Sequence, residues 1–561
     1  MYGFIGTWKW NDSKLNLGHK YFDSQTPVRT ASHNNFSVRA KTNGKFDNDK
    51  VLLDDQDIVL CVDGLIYSNE PKKNIGELIK DYYINDSNDF VRKIDGVYSL
   101  VLYDKKKNIM ILATDHTAMK PLYYYIQDNS ILFSTDIAWM YSSLKETGKK
   151  LSLDYDAAYC LLSYGFMIDS LTLVSGLKKL LPGHYLLVSE KTVIDYKYFD
   201  YADIKTVNRD IHDLLDEAEF LFSEAVKKRY NKDLEYGYNH VCTLSGGLDS
   251  RSILTVSKDL GFLPQITLTM AQSNTLDEQI AKKISSSIGV GNFFYTLDSG
   301  EYLISIDKAV ELNGGLVTYP GLMHAERLFS LFNFTNYGAI HSGEVGDAIF
   351  GGHYLNEYYA PVDISYGAFS EKLIKKISTN VLDMAKERCN SQYMFFLLER
   401  GLNSTVNGWF SATPYTEYTS AFLDKNFLNF ILTVPPEYRA RSEFYIEWMK
   451  KFHPLMCKFK WEKTNTLPTS NKIGRGFGYA KKVISRKVFG NPENMNPYNL
   501  WYSTNSNLRR YVEDYYNESI PYITDVDLRN DIKSLYNEGA FTEKAQVLTL
   551  LGSIKNYQIE M

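Results

Sequence analysis

Cysteine is scarce in this chain of 561 residues: Cys61, Cys160, Cys242, Cys389 and Cys457 are odd in number, widely scattered and without metal-type pairing. A disulfide framework and a zinc site are thereby excluded, and buried reduced thiols are expected. No uninterrupted apolar run approaches membrane-spanning length, so no membrane partner is expected. Positive charge is not in excess either; the net charge of −5, with no polybasic stretch, argues against nucleic acid and anionic lipid. The start, Met1-Tyr2-Gly3-Phe4-Ile5, lacks the charged opening and long apolar core of a signal peptide. A cytoplasmic location is the expectation. Internal repeats and low-complexity linkers are absent as well.

What is present is an ordinary globular composition, 44% hydrophobic and 23% charged, in a chain longer than one core usually supports. Two domains are expected, with boundaries near 1–200 and 205–561. Up to about residue 200 the chain carries short β-type runs punctuated by turns: Ile58–Val62, Val97–Tyr103, Ile109–Ala113, Pro121–Tyr125 and Ile131–Phe133. These predict the strands of stacked sheets. After about residue 210 a helical stretch at 211–229 is followed by strands near 240–244, 265–270 and 338–342, alternating with helices. That alternation predicts a parallel sheet with ligand at the carboxyl ends of its strands. From about 365 the pattern is mainly helical, and the apolar stripe at 543–551 is expected to pack on the core.

Two loops in the second region carry chemistry. The first is Cys242-Thr243-Leu244-Ser245-Gly246-Gly247-Leu248-Asp249-Ser250-Arg251, between an apolar run and a predicted helix. Its glycines let backbone amides approach an anion at the positive end of the helix dipole, and Asp249 could hold Mg²⁺ against the same phosphates. A Walker loop would place Lys and Ser/Thr after the last glycine, where Leu248-Asp249-Ser250 stands, so a γ-phosphate cradle is not indicated. The second loop, Ser342-Gly343-Glu344-Val345-Gly346-Asp347, follows the strand at 338–342. In a doubly wound sheet it would set Asp347 opposite Asp249, two carboxylates converging on one Mg²⁺-pyrophosphate unit. Ser-Gly-Gly alone also fits an ordinary glycine turn, though the six-residue string with its Asp is rarer, and the second loop read singly is equally compatible with a solvated turn.

Ser-Gly-Gly-x-Asp-Ser resembles the pyrophosphate-loop signature of enzymes that split ATP between its α- and β-phosphates, and the two loops together resemble the two-domain, glutamine-dependent asparagine synthetase family. Further pieces match in order: Asp115–Tyr124 (Asp-x-x-x-x-Lys-Pro-Leu-Tyr-Tyr), Leu180–His184, Asp277–Ala281, Glu417, Phe422–Asp424 and Lys463. The resemblance implies an α+β layered sandwich of the N-terminal-nucleophile hydrolase kind, then an α/β pyrophosphatase-loop domain (adenine nucleotide α hydrolase-like) with a helical C-terminal part. It implies an ATP- and Mg²⁺-dependent carbon–nitrogen ligase that makes an acyl-adenylate, releases pyrophosphate and lets an amine or ammonia displace AMP. By the same resemblance Thr243, Ser245, Gly246, Gly247, Leu248, Asp249, Ser250, Met270, Ser342 and Gly343 would bind ATP and pyrophosphate. Asp249 and Asp347 would hold the metal, Glu344 would assist the amine, and Lys463 would stabilise charge on the phosphates. Taken without the family, Lys463 reads as a surface lysine. Arg251 and Ala348 depart from the family pattern; Arg251 is expected either to reach an anion or to face solvent.

The N-terminal half departs further. The family's glutaminase uses a cysteine at position 2 with its own α-amine as base, and here residue 2 is Tyr, a poor acyl acceptor that also hinders removal of Met1. Asp63-Gly64-Leu65-Ile66-Tyr67 stands where the family's glutamine pocket has Asn-Gly-Glu, and Cys61, inside an apolar run, is expected to be inert. The expectation is an amide synthetase without glutaminase activity, similar to relatives such as lasso-peptide cyclases and β-lactam synthetases. Its substrates would be a small-molecule or peptide carboxylate and an amine; a homodimer or protein partner is left open. The alternatives are asparagine synthesis from free or externally supplied ammonia, and a non-catalytic nucleotide-binding scaffold.

Overall fold

The computed structural model describes residues 2–9, 28–68, 74–127, 129–263, 266–405, 407–489 and 494–561. Two six-stranded sheets form the amino-terminal layers. One runs Leu177–Lys179, Tyr123–Gln127, Ser130–Ser134, Gly3–Lys9, Phe36–Lys41, Arg29–His33; the other Val193–Lys197, His184–Val188, Ile109–Thr114, Gly96–Asp104, Ile58–Ile66, Leu52–Asp54. They face each other through a core of Phe4, Trp8, Val38, Val59, Cys61, Val101, Leu112 and Phe133. Because side chains alternate along a strand, Ile58, Leu60 and Val62 point the other way and bury Leu78 and Ile79 of the helix Ile75–Asp86. On the far side the helices Ile137–Glu146 and Tyr155–Tyr164 pack on Ile5, Tyr123 and Leu132 and continue into the core of the second half. The expected strands are all found, four of them longer than their apolar runs and the fifth, Tyr123–Gln127, shifted two residues on from Pro121–Tyr125, and the layering is helix, sheet, sheet, helix.

The second half is built on a five-stranded sheet: β1 (Asn239–Thr243), β2 (Ile266–Ala271), β3 (Gly291–Thr296), β4 (Tyr337–Ser342) and β5 (Tyr418–Ser420), in the order β3-β2-β1-β4-β5. Every pairing in it is parallel. The chain moves outward from β1 through β2 to β3, then returns to place β4 on the other side of β1. That reversal is a topological switch point, where the carboxyl ends of two neighbouring strands leave a crevice. The strand expected as third is therefore fourth, because β3 escaped the sequence reading.

The remainder is mainly helical, as expected, with β5 an exception inside it. The last helix, Phe541–Tyr557, buries Val547, Leu548, Leu550 and Leu551 and packs on Ile306–Asn313 and Tyr155–Tyr164, so its apolar residues serve the core. Among the described residues no helix is long and apolar enough to cross a membrane. All five cysteines are buried and unpaired. Burial pushes the Cys61 thiol far above its usual range, as expected for an inert thiol between two sheets.

Candidate active site

The loop after β1 and the loop after β4 meet at the switch point. Gly247 caps the helix Leu248–Asp259, which places Asp249 in its first turn beside the positive end of its dipole. The second loop can come this close only because it carries glycine: a Cβ on Gly343 would lie 2.4 Å from the Ser250 nitrogen, and one on Gly346 2.7 Å from Asp249 Cγ. Between them Val345 is held at φ 69°, a left-handed conformation a β-branched residue rarely adopts. Such strain persists only where the surroundings enforce it. The result is that the Asp347 N–H donates to Asp249 Oδ2 at 2.9 Å, and the two acids border the same cavity.

Asp249 Oδ1 is buried and makes no hydrogen bond of normal geometry; the neighbouring Tyr445 hydroxyl is engaged with Ser252 Oγ at 2.8 Å. Burial, and then the charge of Asp347, raise the Asp249 pKa well above the ordinary carboxylate range. Two carboxylates placed this way, one with an unsatisfied oxygen, fit a hard divalent cation with oxygen ligands.

Two cavities open on either side of Asp249. The larger, about 620 Å³, is lined by Thr243, Ser245, Gly247, Asp249, Ser250, Met270, Ser342, Gly343 and Glu344 among others. The smaller, about 400 Å³, is lined by Gly247, Leu248, Asp249, Asp347, Ser442, Tyr445, Trp461, Glu462 and Lys463. Every site residue expected from sequence except Gly246 therefore borders one of them. Gly246 serves close approach instead: a Cβ there would lie 2.7 Å from Glu462 Cβ. Lys463 sits in the turn between the bridged residues Trp461 and Thr466, with its ammonium 5.5 Å from the Trp461 ring and no carboxylate within ion-pairing distance among the described residues. Lys463 is half-buried on the cavity wall.

Three of the loop amides are already paired: Ser245 N–H donates to Ser250 Oγ (3.0 Å), Gly246 N–H to Asp277 Oδ1 (2.9 Å) and Gly247 N–H to Ser245 Oγ (3.2 Å). Amides removed from water must be paired, and these side chains hold the loop shape. One expectation needs correction: Arg251 neither faces solvent nor reaches an anion. It is fully buried, and its guanidinium donates to the carbonyls of Gly246, Gly247, Met456, Phe459 and Lys460 at 2.7–3.1 Å. It thus clamps the Ser245–Ser250 loop to the segment that leads to Lys463.

Glu344 lies in the larger cavity. Burial lifts its carboxyl to about 8, against the pull of the Tyr418 hydroxyl, and its Oε2 has no hydrogen-bond partner. Tyr418 itself donates to Ser342 Oγ at 2.6 Å, so β5 braces the loop. Sequence reasoning missed Tyr418, His324 and Arg400, which also line this cavity. Arg400 belongs to a π-helical stretch, Phe396–Thr405, for which no short sequence signal exists.

Across the boundary between the halves, Lys120 bridges Asp63 (2.9 Å) and Glu417 (3.0 Å), and Lys50 meets Glu417 at 2.8 Å. Burial alone would raise the Glu417 pKa; the two lysines hold it at about 2. Tyr2 borders a separate 220 Å³ cavity with Asp136, Glu311, Trp409 and Tyr415.

Residues 74–199 match the glutamine amidotransferase domain family and residues 217–393 the asparagine synthase family. In both regions the chain is similar to the asparagine synthetase family. Its relatives include a Methanocaldococcus jannaschii protein assigned as a glutamine-hydrolyzing asparagine synthetase, 26% identical over 340 residues, covering 56% of this chain and 63% of the relative. Asparagine synthetase 1 of Bacillus subtilis is 23% identical over 331 residues (58% of this chain, 49% of the relative), and the human enzyme 24% over 421 residues (68% and 65%). The chain thus spans between about half and two thirds of the length of these relatives.

Proposed function

We propose that this protein is an AMP- and pyrophosphate-forming amide synthetase, with residues 205–561 as its synthetase domain and 1–200 as a domain that does not hydrolyse glutamine. The observation that carries the reading is the contact of Asp249 and Asp347 at neighbouring strand tips, between two cavities. Burying the Asp249 carboxylate beside Asp347 is costly, and a cation with a polyphosphate would offset that cost. ATP would lie with its adenylate part in the larger cavity and its β- and γ-phosphates in the smaller. Asp249 and Asp347 would hold Mg²⁺, which supplies charge neutralisation of the leaving pyrophosphate.

The substrate carboxylate oxygen attacks the α-phosphorus, the bond to the β-phosphate oxygen breaks, and Lys463 faces the charge that accumulates on the phosphates. A fixed ammonium at that point is worth several kcal/mol in a water-excluded site. The amine nitrogen then attacks the acyl carbon, AMP leaves, and Glu344 takes the amine proton. A carboxylate poised at about 8 is matched to an amine near neutral pH. Ser342 and Gly343 flank the adenylate, and Thr243 and Met270 border it through their backbones.

The amine enters directly. Tyr2 cannot act as the family's thiol nucleophile, and the Cys61 thiol is buried and held protonated. Aspartate with ammonium is the first substrate pair to try, since the relatives are named as asparagine synthetases. The test is exchange of labelled pyrophosphate into ATP with a panel of acids. Acid-dependent exchange that disappears in Asp249→Asn is expected; no exchange with any acid from folded protein contradicts the reading, and ammonia released from glutamine contradicts the role given to the first domain.

A further inference from the structure

Beyond Lys463 lies a third cavity of about 430 Å³, which shares Ser442, Trp461, Lys463 and Tyr479 with the smaller active-site cavity. Its wall adds Arg441, Lys472 and Arg475 as cations and Glu443 as an acid. Glu443 neutralises Arg475 (2.5 Å) and lies 3.7 Å from Lys472. Arg441 has no carboxylate within ion-pairing distance among the described residues; its guanidinium lies 5.4 Å from the Tyr354 ring. Arg441 and Lys463, two cations with no carboxylate partner among the described residues, therefore line one cavity that adjoins the smaller active-site cavity through four shared wall residues, while Glu344 lines the larger one.

The backbone fixes Arg441 there. Arg441 and Ser442 are both left-handed, at φ 59° and 63°, held by N–H bonds to the carbonyls of His353 and Gly351 at 2.8 Å each. An ordinary helical entry at this point would cost less, so the kink is maintained by its surroundings and turns Arg441 into the cavity wall.

We propose that this cavity receives the departing magnesium pyrophosphate, and that Arg441 is the positioning residue that holds it after the α–β bond has broken. The inference rests on the functional reading above. Guanidinium is suited to this task because it stays charged and grips two phosphate oxygens at once. Pyrophosphate, released as the acyl-adenylate forms, moves along the shared wall from Lys463 toward Arg441, so the leaving group has an exit that does not pass the acyl-adenylate.

The test is calorimetric titration of the full chain with magnesium pyrophosphate and, separately, with a non-hydrolysable MgATP analogue. Arg441→Gly is the main variant, because glycine accepts the left-handed conformation and removes only the side chain; Arg441→Lys is the partial rescue. Arg441→Gly is expected to weaken pyrophosphate about tenfold or more, with the ATP analogue changed by less than about twofold and lysine intermediate. Unchanged pyrophosphate affinity in Arg441→Gly, or equal loss for both ligands, overturns the assignment of Arg441. Wild-type protein that binds neither ligand overturns the functional reading itself, and the inference with it.

Discussion

Replacing Glu344 by Gln should change how the stability of the protein depends on pH. In the folded protein burial holds this carboxyl protonated up to about pH 8, whereas a glutamate in the unfolded chain ionises near about 4.3. Between those values the native state binds one proton more than the unfolded state, so wild-type stability falls as pH rises and levels off above the folded pKa. From roughly pH 5 to pH 8 that single proton is worth about 4 kcal/mol at 1.4 kcal/mol per unit. Glutamine cannot ionise and lacks the term. Urea unfolding of both proteins at several pH values should therefore show wild type losing about 4 kcal/mol relative to Glu344→Gln across this window, on top of any slope they share. Parallel curves would refute the claim that Glu344 is a protonated, desolvated acid poised to ionise near neutrality. In catalysis the same variant should lose about 10²–10⁴-fold of the amine-transfer step and the activity rise toward pH 8, while retaining pyrophosphate exchange.

Asp249→Asn should melt higher than wild type at pH 8 and match it near pH 4, because burial and the Asp347 charge raise the Asp249 pKa and each unit of that rise is about 1.4 kcal/mol of strain once the acid ionises. Added Mg²⁺ should raise the melting temperature of wild type at pH 8 and leave the variant unmoved; equal responses would remove Asp249 from the metal site. Arg251→Met should cost about 3 kcal/mol or more in urea unfolding, since five carbonyls, those of Gly246 and Met456 buried, lose their donor; a cost below about 1 kcal/mol would show that the clamp is dispensable. Glu417→Gln should cost about 3 kcal/mol at pH 7 by leaving Lys50 buried without this carboxylate and Lys120 with Asp63 alone. In wild type this ion cluster should persist below pH 4 and fail as pH falls toward about 2, because the Glu417 pKa is depressed; acid unfolding of the variant without that late phase is the check.

The parts of this molecule legible in its sequence are those whose signal is local. Runs such as Ile58–Val62 and Val97–Tyr103 are apolar on both faces because each strand is covered on both sides, by the opposing sheet and by a helix or the neighbouring half. The two glycine-and-acid loops were legible because close approach admits no other residue at Gly343 and Gly346. β3 was missed because Gly291–Thr296 is an edge strand, half exposed, that begins on glycine, and β5 because three residues within a helical region have no period. Arg251 was misread because an arginine in a first helical turn ordinarily faces water. Only the fold brings the carbonyls of Met456, Phe459 and Lys460, more than 200 residues away, onto it. The same holds for Asp277, which reads as a helix-start acid and in fact pins the Gly246 amide, and for Lys120 and Glu417, joined across 297 residues.

The central claim is that a carboxylate oxygen attacks the innermost phosphorus of a nucleotide held between Asp249 and Asp347. Its most direct test uses the acid that supports pyrophosphate exchange, labelled with ¹⁸O in its carboxylate, in one complete turnover with MgATP and the amine, followed by mass analysis of the products. The account predicts one labelled oxygen in AMP and none in pyrophosphate. Label in inorganic phosphate, with ADP as the other product, or unlabelled AMP beside labelled amide, would contradict it.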